Sequence, residues 1–219
     1  GKKAYEEARK FGDARCVATS EADKYSYIPK VTKEDIRDDV DYVYICYNNT
    51  VFGTHYNELP DFGDHLLVAD MSSCILSEEI DVSKFGLIYA GAQKNVAPAG
   101  LTIVIVREDL MRDDLPAYVP TVASYKVMAE NESMYNTPPC WPIYICKLVL
   151  EWIKEIGGLT AMKELNEKKA KMLYDCLDNS KLFKNPVQPN CRSMMNATFR
   201  AEDDEINAKF VKEATANGM

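Results

Sequence analysis

Two nearly unbroken apolar runs, His65-Leu-Leu-Val-Ala-Asp70 and Gly86-Leu-Ile-Tyr-Ala-Gly-Ala-Gln-Lys94-Asn95, each end on a charged side chain. No other feature constrains the fold as much. Apolar runs without polar alternation read as strands buried on both faces, which is the habit of parallel sheets. In open sheets of that kind ligands bind in the crevice beyond the carboxyl ends of the strands. Asp70 and Lys94 fall at those ends. Lysine beside a core is costly unless its pKa falls or its amine is bound covalently, and both are what a Schiff-base lysine needs.

Either residue alone has a plain reading, Lys94 as a solvated strand cap and Asp70 as the cap of the turn that follows it. Together they suggest pyridoxal 5'-phosphate, which needs a lysine to carry its aldehyde and a carboxylate to keep its ring nitrogen protonated.

The rest of the chain supports an α/β fold. Residues 2–11 form a short mixed-charge helix ended by Gly12, followed by a strand near 15–18. A polar helix at 33–38 precedes the apolar strand 42–46, and Asn48-Asn49-Thr50 is a polar loop at that strand's end. Leu101 to Val106 returns after a loop too short for a helical crossover, so it runs antiparallel to its predecessor. The sheet is therefore mostly parallel with one antiparallel strand, flanked by helices. Thr137-Pro138-Pro139 starts a long helix to Ile156, with Thr137 as its cap and Ile145, Leu148, Val149, Trp152 and Ile156 along one stripe. Gly157-Gly158 ends it. A second helix over 159–178 carries Leu165, Met172 and Leu173 against a lysine-rich face, and a strand near 194–199 and a helix after Asp204 follow. These assign residues 1–158 to a large domain and 159–219 to a linking helix and part of a small α+β domain.

Net charge is −8, which argues against nucleic-acid or anionic-membrane surfaces. No stretch is long and apolar enough to span a membrane. Seven scattered cysteines without a C-x-x-C pair read as free thiols in a reducing compartment, so a cytoplasmic location is expected. Two histidines with no ligand spacing give no protein-bound metal.

Several strings carry a resemblance when taken together: Pro60-Asp-Phe-Gly63, Val68-Ala-Asp70-Met-Ser-Ser73, Ile80-Asp-Val-Ser83, Tyr89-Ala-Gly-Ala-Gln-Lys94-Asn95, Pro98-Ala-Gly-Leu-Thr-Ile-Val-Ile-Val-Arg107-Glu-Asp-Leu110 and Met134-Tyr-Asn-Thr-Pro-Pro139. Looser matches are Ile156-Gly-Gly158, Leu165-Asn-Glu-Lys-Lys-Ala-Lys171 and Arg192-Ser-Met-Met-Asn-Ala-Thr-Phe-Arg200. The chain resembles the phosphoserine aminotransferases, class V aminotransferases of pyridoxal-phosphate fold type I. The resemblance implies amino transfer from L-glutamate to 3-phosphohydroxypyruvate, in serine and pyridoxine biosynthesis. It also implies a fragment, since the family's opening segment, its glycine-rich phosphate turn, its ring-stacking aromatic and its carboxylate-binding arginine are not matched. A non-catalytic core that dimerises or holds cofactor weakly is the alternative. A desulfurase is disfavoured because those enzymes place histidine before the lysine, where this chain has Gln93.

By the same resemblance Lys94 is the Schiff-base lysine and proton carrier, Asp70 pairs with the pyridinium nitrogen, and Thr50 meets the ring hydroxyl. Gln93 contacts the phosphate; read from the residues alone, it could instead satisfy buried backbone. Asn136 and Thr137 reach the phosphate of the neighbouring subunit's cofactor, so the resemblance implies a homodimer with a shared site. Ser72 and Ser73 are secondary candidates for a phosphate contact. Substrates are small anionic amino and keto acids, which call for bidentate arginine. None of the arginines here lies in a motif that matches such contacts.

Overall fold

A computed structural model describes residues 1–219. Four strands, β1 (Val43–Cys46), β2 (Leu67–Asp70), β3 (Leu87–Gly91) and β4 (Thr102–Val106), form one sheet in the order β1-β2-β3-β4. The first three are parallel, with Cys46 opposite Asp70 and Asp70 opposite Tyr89. β4 runs antiparallel to β3, from Leu87 opposite Val106 to Gly91 opposite Thr102, as the short loop requires. The crossovers at 47–66 and 71–86 are built from turns and contain no α-helix.

The expectation of two sealed faces is corrected. Along β2 and β3 burial alternates: Leu67, Ala69, Ile88 and Ala90 are buried, while Val68, Asp70, Leu87 and Tyr89 are only half-buried. Thus one face of the sheet is core and the other is partly open. The sealed face joins Ile45, Phe62, Met71, Ile75, Phe85 and Val96 in a single core cluster. Ala69, Ala90 and Ala92 are wholly inaccessible, and their small side chains let neighbours pack closely over the sheet.

The helices are α1 (Lys2–Ala8), α2 (Tyr125–Glu130), α3 (Cys140–Glu155), α4 (Gly158–Asn179) and α5 (Asp204–Ala216). α3 begins two residues after its expected start, because Pro139 disfavours the helical conformation at Pro138. Its cap is Pro139, without a side-chain hydrogen bond, so Thr137 does not cap it. The inward stripe is Cys146, Val149 and Ile153, whereas Leu148 and Trp152 are exposed. In α4 the inward line is Met162, Asn166, Ala170, Tyr174 and Leu177, and the expected Leu165, Met172 and Leu173 face solvent. Hydrophobicity misread this helix because two inward residues are polar and bond to backbone carbonyls. The Asn166 amide donates to Ser77 O (3.1 Å) and the Tyr174 hydroxyl to Ser193 O (2.7 Å).

Two expected strands do not form. Residues 15–18 have no ladder and are exposed; they line a cavity beside β1, the edge strand, without pairing to it. Residues 194–199 make no ladder either. Arg200 pairs with Lys184 in an isolated bridge, and the segment instead spends its polar groups on the loop after β1. Residues 33–38 hold only a 3-10 turn, Lys33–Asp35, closed by a reciprocal Thr32–Asp35 capping box.

Gly86 enters β3 where a Cβ would lie 2.0 Å from Leu66 Cδ1 and 3.1 Å from Leu110 Cδ1. Gly86→Ala is expected to destabilise the chain by about 1–3 kcal/mol through overpacking. Chemical denaturation should show a smaller penalty for this change in a Leu66→Ala background, because the two residues share the contact.

Candidate cofactor site at the carboxyl edge of the sheet

Asp70 ends β2 on the half-open face. Its Oδ1 accepts from Ser72 N (2.9 Å) and Ser72 Oγ (2.6 Å), so it does cap the following turn. Its Oδ2 receives only a long bond from the Tyr89 hydroxyl (3.3 Å), and that phenol lies 3.2 Å from the Tyr44 hydroxyl. Burial is the main cause that pushes both phenols above the ordinary tyrosine value, so both are protonated donors at neutral pH. With Tyr89 donating to Asp70, Tyr44 donates to Tyr89. One edge of the carboxylate is thus held in place and the other keeps acceptor capacity for an N–H group.

β3 stops at Gly91, before Lys94, because the Gly91 amide turns to Ser72 Oγ (3.0 Å). A 3-10 turn, Ala92–Lys94, follows. Ala92 and Val96 are buried, and the Asn95 amide donates to Ile75 O (2.7 Å). These anchors leave Gln93 and Lys94 exposed. Lys94 is therefore not a core-buried ammonium, which corrects the argument from desolvation, and its amine has no hydrogen bond or ion pair within the chain. Gln93 makes no hydrogen bond either, so it does not satisfy buried backbone. Its side chain folds over Gly91, where a Cβ would lie 2.8 Å from Gln93 Oε1.

Thr50 lies in a tight loop after β1, half-buried and with no hydrogen bond to its hydroxyl. Asn49 Oδ1 accepts from the amides of Val51 and Phe52, and Gly53 N donates to Asn49 O (2.8 Å). Asn136 and Thr137 lie apart from this cluster in sequence and element, exposed in the segment before α3 and with no hydrogen bond from their side chains. Ser72 and Ser73 are committed, Ser72 between Asp70 and Gly91, and Ser73 to Asn48. A cavity of about 1060 Å³ lies between residues 1–37 and β1; Cys46 and Asn49 line it, but neither Asp70 nor Lys94 does. We place the site by its chemistry.

These residues fit pyridoxal phosphate: an unpaired amine, a carboxylate with one free edge, and amide and hydroxyl groups without partners. The tyrosine pair and the Ser72 bridge escaped sequence reading, because Tyr44 on β1 and Tyr89 on β3 meet across β2 and are not neighbours in the sheet.

The loop bearing Thr50 is tied to α4 by charge. Buried His55 bonds through Nε2 to Glu78 Oε1 (3.0 Å), and Glu78 Oε2 pairs with Lys163 (3.1 Å). The His55 bond, and then Lys163, hold the Glu78 carboxyl below its ordinary 4.5. Glu78 therefore contributes its full stability above the ordinary carboxylate range and loses it as pH falls through the lowered folded value. Glu78→Gln is expected to cost roughly 1–3 kcal/mol near neutrality. Urea unfolding should show the gap from the wild type closing as pH falls below the ordinary carboxylate range.

Comparison with known proteins supplies a class and then a close set of relatives. The model of the class-V aminotransferase family matches residues 3–217, and the chain belongs to that family. It is 49% identical over its whole length to a phosphoserine aminotransferase of Bacillus thuringiensis subsp. konkukian and 50% identical to one of Listeria monocytogenes, covering 60% and 59% of them. The solved phosphoserine aminotransferase of Bacillus circulans subsp. alkalophilus superposes with a TM-score of 0.92 at 42% identity, over 99% of this chain and 60% of that one. A pyridoxal-phosphate-bound phosphoserine aminotransferase from Trichomonas vaginalis gives 0.90 at 34% identity, over 99% and 62%. The chain thus spans about 60% of the length of the curated relatives it matches.

Proposed function

We propose that this chain is the cofactor-binding core of a phosphoserine aminotransferase, which moves the amino group of L-glutamate to 3-phosphohydroxypyruvate and releases O-phospho-L-serine and 2-oxoglutarate. The observation that carries this reading is the placement of an uncommitted Lys94 amine and a half-free Asp70 carboxylate at one edge of a parallel sheet. Pyridoxal phosphate, when bound, supplies an aldehyde and an electron-accepting ring. Lys94 is the residue that would hold the aldehyde carbon through its amine, with loss of water, and would carry a proton once that amine is free again. Asp70 holds the ring N–H, oriented by Ser72 and Tyr89. Thr50 would bond the ring hydroxyl and Gln93 the phosphate, while Asn136 and Thr137 would reach the phosphate of the neighbouring subunit's cofactor.

Substrate anions are bound by groups outside residues 1–219. Every arginine here except Arg9 already pairs with a carboxylate of this chain, as Arg107 does with Asp109 and Arg192 with Asp178. The unpaired state of all seven cysteines supports a reducing, cytoplasmic site of action, and likeness to phosphoserine aminotransferases supports a place in serine and pyridoxine biosynthesis.

In this reading the active unit is a homodimer with a shared site. Met134, Tyr135, Trp141, Tyr144, Leu148 and Trp152 are exposed on the segment holding Asn136 and Thr137 and on the outward face of α3. An apolar strip of that kind fits a second copy of the chain. Sedimentation at micromolar concentration is expected to give a dimer, and Trp141→Asp with Leu148→Asp a monomer. A wild-type monomer would remove the shared site.

The cofactor assignment is tested by mixing the chain with pyridoxal phosphate, recording its visible absorption, reducing with borohydride and mapping the adduct. The reduced adduct is expected on Lys94, and Lys94→Ala should abolish both band and adduct. Lys94→Ala in the whole protein should lower turnover by more than about 100-fold. Adducts scattered over surface lysines would sink the assignment.

A further inference from the structure

The motif Arg192–Arg200 is far in sequence from the cofactor candidates, yet it builds their surroundings. Asn196 donates from Nδ2 to Thr50 O (2.7 Å) and Asn49 O (3.1 Å). Its Oδ1 accepts from Asn48 Nδ2 (2.6 Å) and Ser193 Oγ (3.1 Å). All four positions of this amide are filled. Asn48, 2% exposed, also donates to Ser73 Oγ (2.8 Å), three residues past Asp70. One web of hydrogen bonds therefore joins the Thr50 loop to the turn after Asp70, and Asn196 is where the C-terminal segment enters it.

The approach is close at backbone level as well. Gly53 has φ +78°, and a Cβ there would lie 2.9 Å from Asn196 O. Ser193 N donates to Gly53 O (2.9 Å) and Thr198 Oγ1 to Phe52 O (3.0 Å). The loop is clamped along its length, but only Asn196 bonds to the carbonyl of Thr50 itself.

We propose that Asn196 is a positioning residue that sets the backbone of Thr50, so that cofactor contact at the ring hydroxyl depends on a residue in the second part of the chain, 159–219. This rests on the reading of Thr50 given above. Asn196 touches no cofactor and acts through Asn48, Asn49 and Thr50. A displacement of the C-terminal segment would be felt at Thr50, whose carbonyl loses its donor, whereas Asn49 O keeps the Gly53 amide.

The test uses Asn196→Asp, which keeps shape and the acceptor oxygen but removes both donors and sets a carboxylate against two carbonyls. Asn207→Ala is the comparison. Asn207 closes a local loop through Ala201 and Asp203 and does not reach Thr50. Pyridoxal-phosphate affinity, the pH midpoint of the visible band and the melting temperature of the cofactor-free chain are measured for each. Asn196→Asp is expected to weaken affinity about tenfold or more, the equivalent of 1.4 kcal/mol, and to move the midpoint of the band. Asn207→Ala should lower melting temperature alone. In a Thr50→Val background, Asn196→Asp should have little further effect on affinity. If Asn196→Asp does not fold, Asn196→Ser, which leaves room for water to bridge, replaces it in the same comparison. Affinity equal to wild type, or a loss no greater than that of Asn207→Ala at equal melting temperature, overturns the proposal while leaving the function intact. A wild-type chain with no band and no Lys94 adduct overturns the function and this proposal with it.

Discussion

The hydroxyl of Ser72 is the hinge of this site. It donates to Asp70 and accepts from Gly91, so one atom binds the end of β2 to the end of β3. A hydrogen bond of that sort is worth only about 1 kcal/mol net, far less than the apolar burial behind it. The core on the sealed face, from Leu67 to Ile88 and Ala90, fixes the parallel register. Ser72 then converts that register into the placement of two functional groups. It holds Asp70 by its inner edge, and it draws the Gly91 amide away so that β3 ends and the Lys94 turn begins.

The two parts of the chain are joined by a different kind of force. The core cluster draws on residues 36–96 and takes only Cys146 as a buried member from the helices. Beyond α3, the chain is fastened largely by directional bonds: Asn166 to Ser77 O, Tyr174 to Ser193 O, Lys163 to Glu78, and Asn196 to the Thr50 loop. Apolar burial is indifferent to small rotations, whereas a buried amide aimed at a carbonyl tolerates few geometries. The Thr50 loop is therefore held in one geometry by the second kind of contact more than by the first.

This difference explains what was legible in the sequence. The strands, the antiparallel return of β4, and the neighbourhood of Asp70 and Lys94 were readable because apolar runs and short loops leave few alternatives. The inward faces of α3 and α4 were not, because pattern reading favours leucine and tryptophan over asparagine and tyrosine. Leu148 and Trp152 point outward, and Asn166 and Tyr174 point inward with partners that no periodicity reveals. The strand expected at 194–199 failed for the same reason: Asn196 and Thr198 bond to a loop some 146 residues away. Thr137 was misread for a local reason, since two successive prolines delay the helix beyond its reach.

Lys94 shows how an amine is kept available without being buried. A lysine near an aspartate usually closes an ion pair, as Lys171 does with Asp175 and Lys126 with Asp113 on this surface. Asp70 makes no such pair: Ser72 holds its Oδ1, and its Oδ2 takes only a long bond from Tyr89. Neutral donors supply no counter-charge, so the charge of Asp70 is not spent on a partner within the chain. Gln93, folded over Gly91, and Asn95, tied to Ile75, hold the turn on either side of Lys94. The amine is thereby left to the ligand, and the specificity of this edge of the sheet comes from which charges the protein declines to pair.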